Sequence, residues 1–205
     1  MPAQDKPRST ACAPAFLHGT RIVTRRGEVA VEDLRPGDSL VTRDRGFAPL
    51  RWIGTATITP CPHTAPVCIP AGALGRNLPA RDLHISPGHR IWMKNDSFGA
   101  AFASSEVLVP AEQLVGWRGV DRRRDPGRVD YIHLLLDAHH IIMADGLPVE
   151  SLPPGALSDL GCGHEVRDDL YRLFPDLVAR PTNAPARRSL ESHEVPLALA
   201  LCSAA

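Results

Sequence analysis

Glycine and proline punctuate this chain at short intervals, and no other feature limits its folding as much. The 20 prolines and 16 glycines are scattered between short apolar runs. A helix of ordinary length would have to pass through a proline, which lacks the amide donor and clashes with the preceding turn. Short strands joined by tight turns meet no such obstacle. The pattern therefore predicts a turn-rich, all-β chain.

The punctuation can be followed residue by residue. "TRIVT" and "EVAVEDL" flank "RRG", a hairpin signal with glycine at the turn. "RPGD" turns the chain into "SLVTRD", and "RG" leads into "FAPLRWIGTATI". The Pro/Cys/His-rich "TPCPHTAPVC" reads as a loop, and "DLHISPGHRIWM" as a hairpin arm interrupted at Ser86–Gly88. "VDYIHLLLDAHHIIMADGLPVESL" supplies one or two long strands that turn at "DG". "VEDLRPGD" is echoed by "VPAEQLVG", as a duplicated β-subdomain would leave behind. After Leu152 the texture changes: Val166, Leu170, Leu173 and Phe174 share one helical face, with Pro175 as the stop. The segment from Arg180 onward has no sustained period and is expected to be partly mobile.

Charge and cysteine usage set the function classes. Lysine plus arginine equals aspartate plus glutamate, 23 each, so no global field recommends a nucleic-acid or anionic-membrane partner. No run approaches the roughly 18 apolar residues of a membrane span. The N-terminus lacks an apolar signal core, which points to a cytoplasmic protein and leaves export only to a non-classical route. Five cysteines at irregular spacing suit a reduced chain better than a disulfide framework.

Three groups of residues can carry chemistry. Ser86-Pro87-Gly88-His89 places a hydroxyl and an imidazole around one turn, where both can face one backbone carbonyl. The plainer alternative is a turn serine beside a surface histidine. In "DAHH", strand alternation puts Asp137 and His139 on one face and His140 on the other, so Asp137 can orient an imidazole; the alternative is a solvated edge strand. Cys61, His63 and Cys68 supply soft ligands without a fourth partner or a paired C-x-x-C. No phosphate-binding glycine loop and no GxSxG elbow occurs.

Taken in order, "AFLHGTRIVTRRGEVAVEDLRPGDSLVTRD", "SPGHRIW", "VPAEQLV" and "YIHLLLDAHHIIMADGLPVESL" resemble a Hint (Hedgehog/intein) domain of the bacterial kind. The resemblance covers residues 15–152. It implies an all-β horseshoe with pseudo-twofold halves, no cofactor, and the chain's own N-terminal segment as substrate. It sets residues 1–14 apart as a leader and 153–205 as a helix and tail. In such domains a first-position cysteine attacks the carbonyl before it, giving a thioester by an N–S acyl shift. A histidine in T-x-x-H protonates the departing nitrogen. By position that histidine is His89, with Ser86 where threonine is usual, while Asp137 and His139 fall in the late strand motif. The resemblance also makes Pro14–Ala15 the scissile junction and water, a thiol or an amine the acyl acceptor.

Ala15 departs from the pattern, because it fills the nucleophile's seat and alanine cannot attack. A replaced cysteine, which would preserve the precursor, fits the otherwise intact motifs best. The alternatives are a naturally inactive relative, or Cys12 as nucleophile in place of residue 15. Glu150-Ser151 stands where inteins end in His-Asn, so cleavage without splicing is expected. Two readings compete from other classes. One is a non-catalytic β-domain that binds a protein partner through its C-terminal region; the other is a metallohydrolase built on His84, His89, His139 and Asp137.

Overall fold

In the computed structural model, the described residues are 13–124, 127–159, 172, 174 and 185–203. Strands dominate them, as the turn spacing predicts. The first hairpin joins β1 (Arg21–Thr24) to β2 (Gly27–Ala30), with Thr24 opposite Gly27. Only Arg25 and Arg26 lie between them, and Gly27 takes φ +98, which a side-chain-bearing residue would adopt only under strain. β3 (Ser39–Thr42) and β4 (Gly46–Pro49) form the next hairpin, followed by the long β5 (Trp52–Ile58). β6 (Val67–Ile69) and β7 (Leu83–Ile85) pair antiparallel. β8 (Arg90–Lys94) and β9 (Glu106–Pro110) pair around the short helix α1 (Phe98–Phe102).

The Ser86–Gly88 interruption is not a bend within one hairpin. β7 pairs with β6 in a three-stranded sheet completed by β10 (Asp121–Arg122), whereas β8 belongs to the large sheet. The chain changes sheets at Ser86-Pro87-Gly88-His89, where both ends of the turn are buried.

The late segment forms three strands, not one or two. β11 (Val129–Leu135) pairs along its whole length with β5. β12 (Ile141–Ala144) and β13 (Leu147–Glu150) join through Asp145-Gly146, with φ +45 and +78. Two consecutive positive φ values are the mark of a hairpin turn whose twist matches its strands. The large sheet runs β9, β8, β13, β12, β1, β3, β4, so strands from both halves of the chain interleave. Its buried aliphatic side chains make one continuous core with Phe16, Val67, Ile69, Leu83 and Ile85 from outside that sheet.

The internal echo has a backbone counterpart. Val31–Asp33 and Ala111–Leu114 are both 3-10 turns that follow an antiparallel strand. The residues before them, Ala30 (φ −62, ψ 139) and Pro110 (φ −61, ψ 137), have nearly the same conformation.

The predicted helix that carries Val166, Leu170, Leu173 and Phe174 and stops at Pro175 lies almost wholly outside the described residues. Residues 185–203, by contrast, are docked. β14 (Arg188–Ser189) adds in parallel to β9, and α2 (Val195–Ser203) buries Val195 and Ala198 in the main core, as does Leu190 before it. Its apolar period was hidden because one short strand and one helix share the segment. Among the described residues, no helix is long and apolar enough to cross a membrane.

Candidate active site

The segment from Ala13 to Leu17 runs between β7 and β11. Phe16 exchanges two backbone hydrogen bonds of 2.9 Å with Ile132, and Leu17 N–H donates to the His84 carbonyl at 3.3 Å. These bonds fix the register, and the register brings side chains to one peptide linkage. Ala13, Pro14, Ala15 and Phe16 are all buried, Ala15 completely.

Ser86 and His89 both reach this segment, but their side chains face two different carbonyls, those of Ala13 and Ala15, and not one. The Ala15 N–H donates to Ser86 Oγ at 3.1 Å, and that hydroxyl donates to the Ala13 carbonyl at 3.0 Å. The Ala15 carbonyl accepts from Ser86 N–H at 3.0 Å and faces His89 Nδ1 at 3.0 Å. His89 Nε2 lies 2.9 Å from the Glu150 carbonyl. The Phe16 ring packs against the imidazole edge-on, 4.6 Å between centroids, and holds its plane.

Two carbonyls around one imidazole make a particular electrostatic arrangement. A neutral ring has a single N–H and can satisfy only one of them, whereas the imidazolium satisfies both. Burial pushes the His89 pKa below its ordinary value, opposed by the Glu150 carboxylate and the two carbonyls. The ring is thus neutral near pH 7 yet surrounded by acceptors that welcome a proton. That is the behaviour wanted of a group that must gain and give a proton in one cycle.

The late strand contributes a residue that sequence reasoning passed over. His133 Nδ1 lies 2.8 Å from the Pro14 carbonyl oxygen, across 119 residues of sequence. Its pKa is lowered to about 4, first by burial and secondarily by His89, against the pull of the Pro14 carbonyl. At neutral pH it is therefore uncharged. Because a carbonyl oxygen carries no proton, the short contact assigns the ring's hydrogen to Nδ1. In sequence His133 sits inside the apolar "YIHLLL" and reads as strand core; its one available signal was a histidine on a buried strand.

Asp137 and His139 are placed differently from expectation. The residues after β11 leave the strand, so alternation does not apply to them. Asp137 instead accepts from His140 Nε2 at 2.8 Å and pairs with Arg45 at 3.4 Å. His139 Nδ1 accepts from the Ala186 N–H at 3.0 Å. Its Nε2 comes within 3.0 Å of the Glu150 carboxylate but off the line of a hydrogen bond. Neither side chain makes a hydrogen bond to Pro14 or Ala15. Among the described residues, His139 approaches His89 through Glu150, whose carbonyl faces the His89 ring.

Ala15 brings no heteroatom. Its methyl group packs with Leu17, Val129 and Tyr131, so a larger side chain at this position would project into the same apolar seat. Cys12 lies outside the described residues. Among the described residues no three His, Cys, Asp or Glu side chains converge as metal ligands would; the sets Cys61-His63-Cys68 and His84-His89-His139-Asp137 are dispersed.

Solved structures with similar outlines are intein-like. A bacterial intein-like domain from Clostridium thermocellum has 17% identity, a TM-score of 0.46, and covers 66% of this chain and 96% of its own. A DnaB intein from Synechocystis has 13% identity and a TM-score of 0.43, over 67% and 98%. No curated protein matches the chain. The family model described as "Hint domain" matches residues 14–156, beginning at the proline whose carbonyl His133 holds. Over most of its length, then, this chain belongs to the Hint domain family, whose members process their own polypeptide.

Proposed function

We propose that this is a Hint domain built to cleave its own N-terminal junction, Pro14–Ala15, through an N–S acyl shift, and held in the precursor state because Ala15 lacks a thiol. The observation that carries the reading is the convergence on one buried linkage. His133 binds the carbonyl of Pro14, Ser86 the nitrogen of Ala15, and His89 the next carbonyl. A structural turn would have no need of three polar side chains on two successive peptides. Asp137 and His139 act on this site at most indirectly, His139 through Glu150.

With cysteine at position 15, its sulfur attacks the Pro14 carbonyl carbon and the C–N bond breaks. Net, one S–H and one C–N bond become one C–S and one N–H bond, so no cofactor is consumed. The departing amine must be protonated, because an amide anion leaves poorly. His89, neutral at rest, takes up the proton that the sulfhydryl gives up and delivers it, exchanging the Ala15 carbonyl for the nitrogen of the same residue once this nitrogen gains a lone pair. Ser86 holds the nitrogen meanwhile. Water, a thiol or an amine then takes the acyl group, the second of two easier steps that replace one hard one. Splicing is not part of the reaction. Glu150 is committed to Arg90 and His139, and Ser151 Oγ accepts from His140 N–H at 3.0 Å.

Substituting Ala15→Cys tests the reading by intact mass: release of residues 1–14 supports it. A folded variant that stays whole favours the second reading, a binding module. That alternative draws its support from Ala15 itself, whose methyl is fully buried in an apolar cluster.

A further inference from the structure

We infer that His133 is a catalytic residue that acts as an uncharged hydrogen-bond donor, polarising the Pro14 carbonyl and holding the oxyanion that forms there. The inference rests on the junction reading above and assigns the one group that reading leaves without a role. Nucleophilic attack on an amide places negative charge on the carbonyl oxygen. A donor already aimed at that oxygen, in a site closed to water, strengthens as the charge grows and needs no reorganisation. His133 meets each condition: its Nδ1 is 2.8 Å from the oxygen, it is 6% exposed, and Pro14 is buried beside it.

Its position is set by the backbone. Ile132 is tied to Phe16 by two 2.9 Å hydrogen bonds, and in that antiparallel register His133 falls opposite Ala15, so its side chain reaches the carbonyl of the preceding residue, Pro14. A surface imidazole would reach a carbonyl by swinging on its side chain; this one is delivered by a strand pairing. Nor is it serving as the acid. The Pro14 oxygen, not the Ala15 nitrogen, is the atom it touches, and the nitrogen is already engaged by Ser86. The division of labour is one donor for the oxygen and a separate hydroxyl and imidazole for the leaving side. In the step itself, electrons from the attacking sulfur push the carbonyl π pair onto oxygen, where the Nδ1–H holds them. They return as the C–N bond breaks, and His133 ends with the proton it began with.

The test has a spectroscopic arm and a kinetic arm. In the chain as it stands, long-range proton–nitrogen NMR should find the hydrogen of His133 on Nδ1 and none on Nε2 from pH 8 to pH 5. The Pro14 carbonyl carbon, read through the Ala15 amide, should move upfield in His133→Ala and less so in His133→Gln, whose amide N–H remains a donor. A bare Nδ1, or an unmoved carbon in both folded variants, overturns the inference. In the Ala15→Cys background, His133→Ala should slow leader release by about 10²–10³-fold, the usual loss when one such donor is removed. His133→Gln should recover part of that loss. Unchanged rates in both also overturn it. Should Ala15→Cys stay whole while the carbon shift behaves as expected, the self-cleavage reading falls and the polarised carbonyl stands. If His133→Ala fails to fold, the glutamine variant carries both arms.

Discussion

Lowering the pH below neutrality should destabilise this domain through His133. In the unfolded chain His133 binds a proton near the ordinary histidine pKa of about 6.5, whereas in the fold its pKa is about 4. Between those values the unfolded state holds the extra proton, so stability falls as pH falls and is fully regained above pH 7. Integrating the linkage relation with these two pKa values gives a loss of about 2 kcal/mol between pH 7 and pH 5. His89 and His84 are also shifted down by burial and add losses of the same sign. Asp145 is shifted up by burial and works in the opposite direction. The His133 share is therefore isolated by difference. Urea unfolding of the parent chain and of His133→Gln, at pH 7 and pH 5, should show the parent losing about 2 kcal/mol more than the variant. Parallel losses in the two proteins would refute the claim that His133 is buried uncharged.

Other expectations follow from single contacts. In an active Ala15→Cys background, His89→Ala should slow thioester formation by about 10²–10⁴-fold, and Ser86→Ala by less; quenched-flow mass analysis showing the reverse order would exchange their roles. Glu150→Ala should cost about 3–5 kcal/mol in denaturant unfolding, because it strands Arg90 and His139 beside a buried site. Arg45→Ala removes only an exposed pair with Asp137 and should cost under about 1 kcal/mol; equal losses would contradict that burial difference. Leu190→Ala should destabilise the whole domain by about 2–4 kcal/mol, since Leu190 lies in the main core. A silent substitution would mean that the C-terminal segment is not part of the fold.

Local features of the fold could be read in the sequence because local chemistry causes them. Gly27 and Asp145-Gly146 sit where positive φ is required, and the hairpins they announce are present. Ser86 and His89 are three residues apart, and one turn suffices to bring them together at Ala15. What escaped depends on long-range pairing. His133 acquires its role only because Phe16 pairs with Ile132, a contact that no window of sequence encodes. The change of sheet between β7 and β8 is invisible for the same reason: a Pro-Gly turn looks alike whether its arms pair or part. Asp137 failed differently. The strand ends at Leu135, two residues too early for alternation to set its direction, and Asp137 bonds His140, three residues along.

The central claim is that the groups around Pro14 and Ala15 are machinery for breaking the bond between them. Intact-mass analysis of Ala15→Cys, with and without hydroxylamine, tests that claim most directly. Hydroxylamine intercepts a thioester and hardly touches an amide. Two products are expected: a leader ending in a Pro14 hydroxamate and a fragment beginning at Cys-substituted position 15, formed faster with the reagent, with no fragment beginning at Leu152. A folded Ala15→Cys protein that remains full length from Met1 to Ala205 under both conditions would contradict it.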